Sequence, residues 1–293
     1  MDIVITYVNG NDPSWIRDYQ SVAGKEVLAK RFRDWGTLKF IFRGIWKYIP
    51  FVRKVHLVVS GESQVPEWVD RSKVNVVFHR DFIPEQYLPL FNSSSIEVFL
   101  HRIPGLDEEF IYLNDDFFPL RLCTPECFFR DAHPVIGMHR HLFAINSYKR
   151  RIRRSYTLAC RAVGKEPGSL FLRPQHICYN LLRSSCEEIF LSCNEEILNS
   201  VSRLRNPDNY NISLFLDYIH LKGLSVNRFQ SGLHISLGAA CPLALRLAIK
   251  YRIADFLCIN DVQMSDKRFK KLQSSIIREM SDIFPEQSPF EHL

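Results

Sequence analysis

The chain has 293 residues, is 46% hydrophobic and 24% charged, and carries a formal net charge of +6, a composition that can bury a large core and excludes an intrinsically disordered protein. It has no apolar run approaching the roughly 18 residues of a membrane-spanning helix, and the opening MDIVITYVNG lacks both the basic stretch and the long apolar run of a secretory signal. The expected location is therefore cytoplasmic, with any membrane contact peripheral and at the inner face.

The first predicted strand covers 2–8 (DIVITYV) and runs into Asn9, Gly10, Asn11 and Asp12. In TLKFIFRGIWKYI (37–49) Leu38, Ile41, Phe42, Ile45, Trp46 and Ile49 recur at helical spacing. Strands at 54–59 and 74–78 follow, ending in Ser60-Gly61-Glu62 and His79-Arg80-Asp81. The segment SSSIEVFLHRI opens with serines able to cap a helix, and a strand at 109–113 then enters Asn114, Asp115 and Asp116. A further strand is predicted at 134–138. The basic run KRRIRR (149–154) reads as a solvated loop, with attraction of lipid headgroups or a polyanionic chain as its functional alternative. No nucleic-acid module accompanies it, and no nucleic-acid partner is expected.

From about 165 to 250 the pattern is of helices without clear strands. A strand at 255–259 ends in Asn260 and Asp261, and a last helix, Asp266 to Phe284, aligns Phe269, Leu272, Ile276, Met280 and Ile283. The division expected is an α/β part over 1–164, a helical subdomain over 165–250, and a return to the α/β part over 251–293. The eight cysteines are scattered through apolar segments, as reduced thiols in a reducing compartment are.

Strand-helix alternation predicts an α/β fold with a mostly parallel sheet and helices on both faces. Ligands of such sheets bind beyond the carboxyl ends of the strands. Five polar clusters occur at five predicted strand ends, although each alone is ordinary turn chemistry. Several carboxylates together with Arg31, Arg33 and Arg43 suit a divalent metal and a phosphorylated substrate. In the doublet Asp115-Asp116 successive side chains of a strand end face opposite ways, so the two carboxylates are expected to do different work.

DIVITYVNGNDPSW, the long block from RFRDWGTLKF through VHLVVSGE, FNSSSIEVFLHRIPGLDEEFIYLNDDFFP and FLCINDV stand in that order, and in this the chain resembles the Stealth family. Its members are hexose-1-phosphate transferases of bacterial capsule synthesis, related to the catalytic subunit of the animal N-acetylglucosamine-1-phosphotransferase. The resemblance implies a Rossmann-like, nucleotide-sugar transferase-like fold and transfer of a sugar-1-phosphate from a UDP-sugar to a hydroxyl of a glycan or polysaccharide acceptor, with release of UMP. It implies a donor site lined by Asn9, Gly10, Asp12, Arg31, Asp34, Arg43, Arg183 and Arg205. It also implies catalytic roles for Asp115, Asp116, His176 and Arg33, and Mg²⁺ or Mn²⁺ held by Asp115 and Asp261. Asn206 stands where the animal enzymes carry a His, leaving His176 or one Asp of the doublet to take the proton. Peripheral contact with the membrane or with capsule-assembly machinery is a further expectation. A metal-dependent glycosyltransferase releasing UDP and an inactive carbohydrate-binding protein are the alternative functions.

Overall fold

A computed structural model describes residues 1–24, 32–238 and 241–292. The first strands are β1 (Asp2–Thr6), β2 (Lys54–Val59), β3 (Val74–Phe78), β4 (Glu109–Asn114) and β5 (Phe117–Pro119). The short β6 (Phe129–Arg130) and β7 (His133–Pro134) come next, then β8 (Met138–His141), β9 (Phe171–Pro174), β10 (Tyr179–Leu182), β11 (Gly232–Ser236) and β12 (Phe256–Asn260). The α-helices, in chain order, are α1 (Pro13–Ala23), α2 (Leu38–Tyr48), α3 (Ser93–Glu97), α4 (Ser147–Ala162) and α5 (Arg183–Ser192). They continue with α6 (Asn194–Ser200), α7 (Ser213–Leu221), α8 (Pro242–Lys250) and α9 (Asp266–Ile283).

Runs rich in Val and Ile favour extended backbone, and where both sheet faces are covered every side chain of the strand can be apolar. Accordingly Ile3, Val4 and Ile5 of β1 are fully buried at the centre of a five-stranded sheet ordered β10-β4-β1-β2-β3. β1 pairs in parallel with β2 and β4, and β2 with β3, while β10 joins the β4 edge antiparallel. The chain leaves β1 in one direction for β2 and β3 and then returns to its other side for β4. This reversal opens a crevice between the carboxyl ends of β1 and β4.

β12 does not extend that sheet. It lies between β11, parallel, and β5, antiparallel, in a separate three-stranded sheet. The chain passes from one sheet to the other across Asp115 and Asp116. Because β12 runs against β5, its carboxyl end comes back to the doublet, where the Ile259 N–H donates to the Asp116 carbonyl at 3.0 Å. The region from 165 to 250 thus contains β9, β10 and β11, correcting the expectation of helices alone. Its strands are four or five residues long, too short to carry a period that separates them from the ends of helices. The predicted strand at 134–138 is broken into β7 and β8, and the basic run is not a loop but the first half of α4.

Helix α2 packs on β5 and buries Phe40, Ile41, Phe42 and Ile45 in the main core. It approaches β5 closely at Gly44, where a Cβ would stand 2.7 Å from the Pro119 carbonyl oxygen. In α9 Leu272, Ile276, Met280 and Ile283 form the buried stripe that their spacing predicts. No helix among the described residues is long and apolar enough to cross a membrane.

Candidate active site

At the crevice the structure holds a cavity of about 600 Å³ lined by residues following β1, β2, β4 and β12, and by α3, α4 and the segment before β10. Arg33, Asp34, Asp115, Asp116, His176, Arg205 and Asp261 all face it.

The two doublet carboxylates diverge. Asp115 turns toward Asp34 and Tyr7 and feels repulsion from Asp34, whereas Asp116 Oδ2 accepts a weak hydrogen bond from Cys258 Sγ at 3.6 Å. The physical reason is the turn between two sheets rather than strand alternation alone. Burial, with repulsion from Asp116 and then Asp34, pushes the Asp115 carboxyl up to about 8, and burial pushes Asp116 up to about 7. Two such carboxylates ionise together only beside positive charge.

Some of that charge is at hand. The Arg33 guanidinium lies over the Phe269 ring, 4.4 Å from its centroid, with Nη1 3.7 Å from Asp261 Oδ1. Buried Nη1 of Arg33, Oδ1 of Asp116 and Oδ2 of Asp261 find no hydrogen-bond partner among the described residues. The unpartnered oxygens of Asp116 and Asp261 are hard donors, but Asp115, Asp116 and Asp261 do not gather into one group with ligand atoms within 4.8 Å of one another among the described residues. Arg205 donates to Ser93 Oγ at 2.7 Å, from the rim above α3.

His176 donates or accepts through Nδ1 with the Tyr179 hydroxyl at 2.6 Å and packs edge-on against Phe117. Burial, reinforced by His234 and Arg173, holds it down at about 4. At neutral pH it is therefore an uncharged imidazole that offers a hydrogen bond.

The other expected site residues serve the scaffold or fall elsewhere. Asn9, Gly10 and Asp12 form a braced turn in which the Asn9 and Asp12 groups meet Gln64, and the Gly10 N–H donates to the Phe32 carbonyl at 2.8 Å. Asp12 caps α1 by accepting from the Ser14 N–H at 2.9 Å, and a Cβ on Gly10 would overlap the Phe32 carbonyl oxygen at 2.0 Å. Turn chemistry accounts for these side chains, while their neighbours Tyr7 and Val8 line the cavity. Arg43 points away into a buried pair: Nε and Nη2 donate to Glu291 at 2.8 and 2.7 Å, and Nη1 donates to the Phe284 carbonyl at 2.9 Å. Arg183 lies at the opposite rim, because its N–H donates to the carbonyl of Glu108, which precedes β4, and its side chain sits half-exposed 3.9 Å from that glutamate. Arg31 lies outside the described residues.

Breaking a buried ion pair from one side costs about 3–5 kcal/mol. Arg43→Met is expected to lose stability on that scale in urea unfolding, with donor KM unchanged. Undiminished stability with a raised KM would return Arg43 to the donor site.

Sequence reasoning missed Glu97, Tyr148 and Arg151, all facing the cavity. Glu97 is a buried carboxylate on α3 whose Oε2 accepts from the Ile212 N–H at 2.9 Å. Its signal was a lone acid inside an otherwise apolar SIEVFL. Arg151 was hidden in the basic run, yet Tyr148, Arg151, Ile152, Ser155 and Ala159 recur at helical spacing on the inward face of α4. Arg150, Arg153 and Arg154 of the same run are exposed, as a solvated face requires.

Burial pushes the Glu97 carboxyl up to about 7, against the Ile212 N–H and the fields of Arg205 and Arg151. The unfolded group titrates near 4.5, so the folded protein binds the extra proton between these values. Stability is then expected to fall as pH rises from about 4.5 to about 7, by on the order of 3 kcal/mol, and to level off above. Glu97→Gln, whose amide oxygen still accepts from Ile212, removes this contribution. Urea midpoints at both ends of the window measure the difference between the two proteins, and identical pH profiles would contradict the assignment.

The family model for Stealth protein CR2, conserved region 2, matches residues 31–135. The capsular polysaccharide phosphotransferase WcwK of Streptococcus pneumoniae is 30% identical over 335 aligned positions, covering 99% of each chain. The receptor polysaccharide phosphotransferase WefC of Streptococcus oralis is 30% identical over 336 positions with the same coverage. An exopolysaccharide phosphotransferase of Streptomyces coelicolor is 33% identical over 313 positions, covering 99% of this chain and 52% of that one. Among solved structures, the galactosyltransferase LgtC aligns with a TM-score of 0.41 at 14% identity, covering 94% of this chain and 96% of that one.

Proposed function

The chain belongs to the Stealth family, and from that premise we propose that it is a phosphotransferase moving a sugar-1-phosphate from a UDP-sugar to a glycan hydroxyl in capsule or exopolysaccharide synthesis. The observation that carries this reading is the cavity itself, where buried carboxylates and arginines converge at the reversal of strand order.

The acceptor oxygen forms a bond to the β-phosphorus as the bridging P–O bond breaks, and that electron pair leaves on UMP. Asp116 accepts the hydroxyl proton and later releases it to solvent. Asp115 lies in the field of Asp34 while Asp116 contacts Cys258, which supports unlike tasks for the doublet. Arg33, with Arg151 and Arg205 across the cavity, faces the phosphate oxygens, and neutral His176 donates a hydrogen bond to them. Such transfer needs positioning and charge stabilisation more than a covalent nucleophile, which suits this set of groups. A Mg²⁺ or Mn²⁺ ion held by Asp115 and Asp261 would supply further neutralisation of phosphate charge.

The test is the nucleotide released when the purified protein is given UDP-sugars and a short glycan acceptor. UMP is expected, together with an acceptor gaining a sugar phosphate by mass. UDP alone would identify a glycosyltransferase and overturn this reading.

A further inference from the structure

We propose that His176, His234 and Cys258 form a binding site for a soft divalent cation of the zinc class, and that its occupancy shuts off transfer. Among the described residues these three place one ligand atom each within 4.8 Å of one another. The topology brings them together: His234 on β11 and Cys258 on β12 are paired directly in register, Cys258 pairs with Phe117 on β5, and His176 packs on the Phe117 ring. The His176 and His234 rings lie 5.2 Å apart.

A thiol and two imidazoles are soft donors that select zinc over Mg²⁺, which prefers oxygen. Zinc bonds of about 2.0–2.3 Å bring ligand atoms closer than they stand here, and the exposed His234 side chain is free to rotate inward. The contact of His176 Nδ1 with the Tyr179 hydroxyl leaves Nε2 as the metal-facing atom and fixes the ring, as outer partners of ligating histidines commonly do. Asp116 Oδ2 stands 3.6 Å from Cys258 Sγ but outside the group of mutually close ligand atoms, so the three side chains leave the fourth position to water. Arg173 is the opposing influence, since its charge acts on both histidines. Its Nε is engaged with His141 at 2.9 Å. On binding, the metal replaces the Cys258 thiol proton, which passes to solvent.

The inhibitory consequence rests on the reaction read above. The Nε2 that donates to phosphate cannot at the same time bind a metal, and a cation at Cys258 lowers the basicity of Asp116, whose Oδ2 stands 3.6 Å from that sulfur.

Titration of the purified, substrate-free protein with Co²⁺ separates the two questions. One equivalent is expected to produce thiolate-to-cobalt charge-transfer absorption that Cys258→Ser abolishes. His234→Gln, an exposed change outside the active site, should weaken cobalt binding at least about tenfold. It should leave transfer with Mg²⁺ intact and raise the half-inhibiting zinc concentration by the same factor. A folded wild-type protein without the band, or a band that survives in Cys258→Ser, would overturn the site. Full transfer activity in zinc-saturated protein would overturn the inhibition. Cobalt binding by a protein that transfers no sugar phosphate would instead count against the reaction alone.

Discussion

Asp116→Asn is expected to lower turnover by about 10²–10⁴-fold, the contribution of a well-placed base, while the protein remains folded. Asn has nearly the same shape and can still accept from Cys258, so the fold loses little contact. The charged form of Asp116 is the one that burial disfavours, with Oδ1 enclosed and unpartnered. Neutralising it should therefore hold or raise the melting temperature as activity collapses. Steady-state kinetics alongside thermal unfolding measure both. Near-normal turnover would remove Asp116 from the role of base, and a large loss of stability would make its part structural. Asp115→Asn is the instructive companion. If the doublet divides its labour, its loss should be relieved in part by raising the Mg²⁺ or Mn²⁺ concentration, whereas that of Asp116→Asn should not.

Arg33→Lys is expected to cost about 10²–10³-fold in kcat, the scale of one lost stabilising donor at a developing charge. A lysine keeps the charge but loses the planar face that lies over Phe269 and the second donor that reaches the phosphate while the first remains near Asp261. Because charge grows on the phosphate oxygens as the bridging bond breaks, the loss should fall on kcat more than on donor KM. A raised KM with kcat unchanged would make Arg33 a plain donor-binding residue. Arg33→Ala should be worse than Arg33→Lys, since it also leaves Asp261 without its neighbouring cation.

The contrast with Arg43 shows why residue type alone does not decide membership of the site. Arg31, Arg33 and Arg43 lie close together in sequence and look alike there. Only the pairing of Arg43 with Glu291, 248 positions away, reveals that its guanidinium is already occupied in the scaffold. In the same way the turn after β1 looked like a rim of ligands, and Gln64 claims its polar atoms instead.

What the sequence determined by itself was the set of local signals: Val- and Ile-rich runs with polar ends for β1 to β4, the apolar stripe of α9, and the carboxylate doublet at a strand end. These are readable because strand and helix periods and turn residues act over a few positions. The tertiary structure decided which polar groups meet. It moved β12 into a second sheet, added β10 to the first, turned Asp115 and Asp116 apart, and brought Glu97, Arg151 and His176 from distant segments to one cavity. Those choices depend on crossover order and on which face of a helix packs inward, and they are made by burial summed over the whole core rather than by any short stretch of chain.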